Sequence, residues 1–172
     1  MAEVLSKNQL KTGKKLNIAF VCDPITDYTA GSFISTLRFA ESLSKKGHKI
    51  VFIASKSPKH RKDDYHLDMK IYRFFALLLP KTENKLYISF PTHRQIKKIL
   101  RDEKIDILLV IIPTPSVLIS IQAARSLGIK IVAHSHTQPE NIFLHFPKFF
   151  GTKTLNQAFY RLLTWLYLKA DV

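Results

Sequence analysis

Residues 16–54 read LNIAFVCDPITDYTAGSFISTLRFAESLSKKGHKIVFIA, and the order of features in this stretch sets the fold. LNIAFVC (16–22) is a continuous apolar run, the pattern of a strand buried on both faces in a parallel sheet. Asp23-Pro24 breaks it, and a polar loop leads to Ala30-Gly31-Ser32. Phe33, Leu37, Ala40 and Leu43 then recur at helical spacing, with Arg38, Glu41 and Lys45 on the other side. Gly47 stands where a helix C-cap needs it, and Lys45 and Lys46 suit the negative helix end. KIVFIA (49–54) is a second buried strand. Strand, glycine turn, helix, glycine and strand make a βαβ unit.

The same alternation continues downstream. After the basic, irregular SKSPKHRKDD (55–64), residues 69–76 read as a strand. Pro91 is placed to open a helix at its first turn, with Ile96, Ile99 and Leu100 inward and Arg94, Lys97, Lys98 and Arg101 outward. ILLVII (107–112) is another buried strand, followed by a PTPS turn (113–116). A helix marked by Val117, Ile121, Ala124 and Leu127 closes at Gly128, and residues 129–133 form the last strand. Residues 154–169 read as a helix whose inward stripe is Leu155, Ala158, Leu162 and Trp165/Leu166. Strands alternating with helices predict an α/β fold, a Rossmann-like doubly wound parallel sheet with right-handed crossovers. The expected strand order is 69–76, 49–54, 16–22, 107–112, 129–133. Residues 1–15 are expected to be a flexible basic tail and residues 16–172 a single domain. The closing Asp171-Val172 could begin a further strand, as though the chain were half of a longer molecule.

Composition narrows the chemistry. The chain has 172 residues and one cysteine, Cys22, which excludes an intramolecular disulfide framework. The first fifteen residues are polar and basic, without the apolar core of a secretory signal. The longest apolar passage, 105–121, is interrupted by Asp106, Pro113 and Pro115, so no spanning helix is expected. Twenty-seven Lys and Arg against 13 Asp and Glu give a net charge of +14, a field that favours polyanions. No zinc-ligand spacing, RNA-binding aromatic signature or helix-turn-helix pattern points to nucleic acid. Basic residues instead accompany the aromatic segments IYRFFALLLP (71–80) and FLHFPKFF (143–150), a combination suited to an anionic membrane surface or to contact with another domain.

Ligand chemistry gathers at two strand ends. In open parallel sheets, ligands bind at the carboxyl edge of the strands. IKIVAHSHTQPENI (129–142) releases His134, Ser135, His136, Thr137, Gln138 and Glu140 there. Strand alternation puts His134 and His136 on one side, where either could carry a proton or donate a hydrogen bond. The other end is Thr29-Ala30-Gly31-Ser32, whose free backbone N–H groups can serve a phosphate or carboxylate, or simply form a tight turn. Neither a P-loop nor a GxGxxG pattern is present, and no metal-ligand spacing is found.

NIAFVCDP (17–24), AGSFISTL (30–37), FAESLSKKGHKIVFIA (39–54), KIDILLVIIP (104–113) and IKIVAHSHTQPENI (129–142) together resemble the amino-terminal domain of GT-B-fold glycosyltransferases of the group 1, or family 4, type. The likeness spans nearly the whole chain from Lys15. The family usually has two adjacent glycines where this chain has Ala30-Gly31. Its carboxyl-terminal domain binds the nucleotide-sugar donor with paired glutamates separated by seven residues, and Glu3, Glu41, Glu83, Glu103 and Glu140 include no such pair.

The resemblance implies retaining transfer of a hexose from a nucleotide sugar to a lipid or glycan acceptor. The nucleotide sugar is a co-substrate, and no cofactor or metal is required. This chain would supply the acceptor-binding half, with a donor-binding domain or partner chain supplying the rest, so the isolated chain is expected to be inactive. His136 would be the catalytic residue, close to the reacting oxygen. Gly31, Ser32, Thr137, Gln138 and Glu140 would bind the acceptor. The implied setting is cytoplasmic, peripheral at an anionic membrane face. The competing expectation is a non-catalytic α/β module that holds nucleic acid or a phosphorylated ligand through its charge.

Overall fold

A computed structural model describes residues 13–23, 31–56, 69–78, 87–134 and 153–172. Five strands, β1 (Asn17–Val21), β2 (Lys49–Ser55), β3 (Lys70–Phe74), β6 (Ile107–Val110) and β7 (Lys130–Ala133), form one sheet in the order β3-β2-β1-β6-β7. Every neighbouring pair in it is parallel. This is the expected Rossmann-like topology, with the strand order read from the sequence.

Alternation within β1 explains why its run is apolar throughout. Ala19 and Val21 face one side of the sheet and pack with Ile96, Leu100, Val117, Ile121 and Leu166. Ile18, Phe20 and Cys22 face the other and pack with Phe33 and Ala40. The first side is covered by α2 (His93–Asp102), α3 (Pro115–Arg125) and α4 (Lys153–Lys169), the second by α1 (Gly31–Lys45). Gly47 ends α1 with φ of +87°, a conformation that disfavours any side chain.

Four departures from the sequence expectation have physical causes. The apolar run 69–76 is two strands. β3 ends at Phe74, whose carbonyl accepts from Lys56 N–H at 2.8 Å. After Phe75 the chain leaves the sheet, and β4 (Ala76–Leu78) pairs antiparallel with β5 (Tyr87–Ser89), a strand the sequence pattern did not reveal. The strand expected over 107–112 stops at Val110, because Pro113 has no N–H to continue a ladder and Thr114 N–H turns back to Ile112 O at 2.8 Å. Pro91 does not open α2. Thr92 is its N-cap, in a reciprocal capping box with Gln95 (Gln95 N–H to Thr92 Oγ1 3.3 Å, Thr92 N–H to Gln95 Oε1 2.8 Å). In α4 Leu166 of the expected stripe is buried and Leu162 half-buried, but Ala158 and Trp165 are exposed and Leu163 is buried in addition, so the inward stripe is rotated toward Leu163.

The amino-terminal edge is tied by Glu103, the C-cap residue of α2, which is buried. Its carboxylate meets Lys49 Nζ at 2.7 Å and Lys70 Nζ at 2.5 Å, and accepts the Tyr72 hydroxyl. Those three donors hold its carboxyl down to about 2. At the far side of the sheet, Asp171 N–H donates to Ile131 O (2.8 Å) and Ala133 N–H to Val172 O (3.0 Å), which ties the last residues to β7 without forming a strand. Among the described residues, no helix is long and apolar enough to cross a membrane.

Candidate functional site

Parallel pairing puts the carboxyl ends of β1, β2, β3, β6 and β7 at one edge. Val21 lies level with Ile53 and Val110, and Val110 with Ala133. The chain turns from β1 toward β2 on one side and from β6 toward β7 on the other. The carboxyl edge between β1 and β6 is therefore the topological switch point, where open α/β sheets place their ligands. Three features from the sequence converge on this edge: the start of α1 at Gly31, the PTPS segment that leads into the first turn of α3, and the end of β7.

Gly31 and Ser32 are the first two residues of α1, so their backbone N–H groups belong to the helix's unpaired first turn. His134 follows β7 directly. Its N–H donates to Val110 O at 2.9 Å, and its ring stands edge-on to Phe39 of α1, centroids 5.8 Å apart. That contact makes His134 a packing residue on the α1 side of the sheet. His136, Thr137, Gln138 and Glu140 lie outside the described residues, as does the aromatic segment 143–150.

The edge also holds a polar cluster that sequence reasoning missed. Asp23, just past β1, is only 2% exposed. One carboxylate oxygen accepts the Ser89 hydroxyl from β5, and the other accepts the Ser116 hydroxyl from the first turn of α3 at 2.9 Å. Its backbone carbonyl accepts the Ser55 hydroxyl from the end of β2 at 2.6 Å. Thr114 Oγ1 lies 2.8 Å from Ser116 Oγ and joins the network. Burial pushes the Asp23 carboxyl above the usual carboxylate range, and the hydroxyl donors only partly offset this. Burial, with the neighbouring Asp23 charge, pushes the Cys22 thiol up to about 12, which removes it as a nucleophile. In sequence, Asp23-Pro24 signalled only a strand end. A better signal was a carboxylate following a fully buried run, which must find donors or remain protonated.

Among the described residues no three His, Cys, Asp or Glu side chains converge to hold a metal ion. A hollow of about 380 Å³ lined by Arg125, Gly128, Ile129, Lys130 and Asp171 lies at the start of β7, on the opposite edge of the sheet. It is open and shallow, and it belongs to the scaffold.

Comparison with known proteins agrees with this architecture. The family described as Glycosyltransferase Family 4 matches residues 29–172, most of the chain. Among solved structures, Acinetobacter baumannii MurG is 14% identical with a TM-score of 0.57, the match covering 92% of this chain and 40% of that one. Staphylococcus aureus MnaA, solved with UDP, is 14% identical with a TM-score of 0.54, covering 92% and 37%. A glycosyltransferase from Rickettsia africae is 18% identical with a TM-score of 0.51, covering 83% and 35%. At these identities the likeness shows the fold alone, and the chain spans less than half the length of each of the three. No curated protein matches significantly. The parallel sheet, its order and the match over residues 29–172 make the chain a member of glycosyltransferase family 4, with the Rossmann-like fold of one half of a GT-B enzyme.

Proposed function

We propose that this chain is the acceptor-binding half of a retaining glycosyltransferase that moves a hexose from a nucleotide sugar to a lipid or glycan acceptor. The observation that carries the proposal is the convergence, at one sheet edge of a family 4 chain, of the α1 start, the PTPS turn and the strand end that leads into HSHTQPEN. His136 hydrogen-bonds the acceptor or the sugar close to the reacting oxygen. Gly31 and Ser32 offer backbone N–H groups to an acceptor hydroxyl or phosphate. Thr137, Gln138 and Glu140 complete the acceptor wall. The donor is held mainly by a second domain or partner chain, and the reaction uses no metal or other cofactor. The contribution of this half is then positioning and fixed electrostatics, since among the described residues the lone cysteine is held protonated by burial.

The proposed setting is peripheral, on the cytoplasmic face of an anionic membrane. Phe75, Leu77, Leu78 and Phe90, on and beside the β4–β5 hairpin, are 46–69% exposed, and the chain carries a net charge of +14. Apolar side chains on a strongly basic protein suit such a surface. The test of function is transfer of labelled sugar by the enzyme that contains this chain, with the anomeric configuration of the product read by NMR. Retention supports the proposal. An inverted product, or no transfer from any nucleotide sugar in the presence of membrane lipids and glycans, contradicts it.

A further inference from the structure

The outer face of α2 carries charge that neither the fold nor the proposed acceptor site uses. Arg94, Lys98 and Arg101 are exposed and Lys97 is half-buried, while Ile96, Ile99 and Leu100 of the same helix are buried against the sheet. The four cations line a shallow, open hollow of about 280 Å³, with Asp102 as its single carboxylate. Asp102 is taken by Lys98 at 2.5 Å. Glu103 is buried and engaged by Lys49 and Lys70. Among the described residues, no carboxylate pairs with Arg94, Lys97 or Arg101.

This arrangement works against the helix that holds it. Arg94 stands three and four residues before Lys97 and Lys98, and Arg101 follows Lys98 and Lys97 at the same spacings, so like charges are neighbours on the helix surface. The first turn contains no acidic residue, and Arg94 sits there against the positive end of the helix dipole. A stripe that costs the helix stability is accounted for by an anion outside the chain.

The adjoining surface tells which anion. Phe90 lies two residues before the Thr92 N-cap, and its N–H donates to Phe75 O at 3.1 Å beside the β4–β5 hairpin. Phe75, Leu77, Leu78 and Phe90 are all exposed. An apolar patch therefore adjoins the first turn of α2, and the cations continue from it for about 10 Å along the helix toward Glu103. Nucleic acid would satisfy the cations, but two leucine side chains give its bases no stacking face. A membrane surface satisfies both parts, with acyl chains for the hairpin and phosphates for the helix.

We propose that α2 and the β4–β5 hairpin form one lipid-binding face, in which Arg94, Lys97 and Arg101 hold the phosphates of anionic phospholipids while Phe75, Leu77, Leu78 and Phe90 enter the acyl boundary. This inference rests on the peripheral setting proposed above. It deepens that reading by assigning the headgroup contacts to α2 rather than to the overall charge of the chain.

The test is co-sedimentation of the full chain with vesicles of equal parts phosphatidylglycerol and phosphatidylcholine, and with vesicles of phosphatidylcholine alone. The triple variant Arg94→Gln, Lys97→Gln, Arg101→Gln should lower partitioning onto the anionic vesicles by roughly 10²-fold, each cation near the surface being worth about fivefold. The triple variant Arg38→Gln, Lys45→Gln, Lys46→Gln removes the same charge from exposed positions on and directly after α1, which covers the other face of the sheet, and should lower it less than about threefold. Equal losses from the two triple variants, or no loss from the α2 variant, would overturn the assignment to α2 and leave the peripheral setting standing. No partitioning of the wild-type chain onto anionic vesicles would overturn both. Tighter binding to single-stranded polyuridylate than to the anionic vesicles, unaffected by Phe75→Ser and Leu77→Ser, would overturn the lipid assignment in favour of nucleic acid.

Discussion

Replacing Glu103 with Gln tests how the sheet is held at its amino-terminal edge. The Glu103 side chain is 7% exposed and is met by Lys49, Lys70 and Tyr72, from the first residue of β2 and from β3. Holding its carboxyl at about 2 corresponds to about 3 kcal/mol of preference for the ionised form. The two lysines are 50% and 59% exposed, so screening reduces the surviving contribution to about 1–2 kcal/mol. The folded-state value lies below that of the unfolded chain. The contribution is therefore complete above the ordinary carboxylate range and is lost as pH falls toward about 2. Urea unfolding of wild type and Glu103→Gln across that range should show a gap of about 1–2 kcal/mol at neutral pH that closes as pH drops. A gap that is absent at neutral pH, or that stays constant on acidification, would refute the assignment of the stabilisation to these ion pairs.

Three further outcomes are expected. Thr92→Ala removes one arm of the α2 capping box and should cost about 0.5–2 kcal/mol in thermal or urea unfolding, whereas Thr92→Ser should cost little. Asp23 has a folded-state carboxyl raised by burial, so its stability contribution is lost as pH rises through the window just above the ordinary carboxylate range. Asp23→Asn should flatten that part of the pH–stability curve, and an unchanged slope would count against it. Liposome flotation should recover the chain with anionic vesicles and release it as salt shortens the Debye length from about 10 Å at 0.1 M to about 3 Å at 1 M. Replacing Phe75 and Leu77 with Ser should weaken recovery, and equal binding to neutral vesicles would remove the electrostatic part of the proposal.

Much of the sheet was legible because its determinants are local. LNIAFVC is apolar on both alternating faces since α1 covers one and α2, α3 and α4 cover the other. Gly47 and Gly128 mark helix ends because both adopt positive φ. What remained hidden depends on partners distant in sequence. An apolar run such as 69–78 has no signal for the point where β3 stops pairing with β2 and β4 begins pairing with β5. The exposed Trp165 in α4 has the same origin: Leu163 and Leu166 are the side chains that reach the core, and periodicity alone fits either face. The Asp23 cluster joins residues 66 and 93 positions apart, so a carboxylate after a buried run signals the need for donors but not which residues supply them. At the candidate site, the α1 start and the end of β7 could be placed on one edge from the strand order alone, because the strands of the five-stranded sheet run parallel.

The most direct test of the acceptor-side account is the initial rate of sugar transfer by His136→Ala in the enzyme containing this chain, with circular dichroism as the control for folding. The account predicts a fall of roughly 10²-fold, the scale for loss of a positioned hydrogen-bond donor, with an unchanged spectrum. Transfer close to the wild-type rate would contradict it.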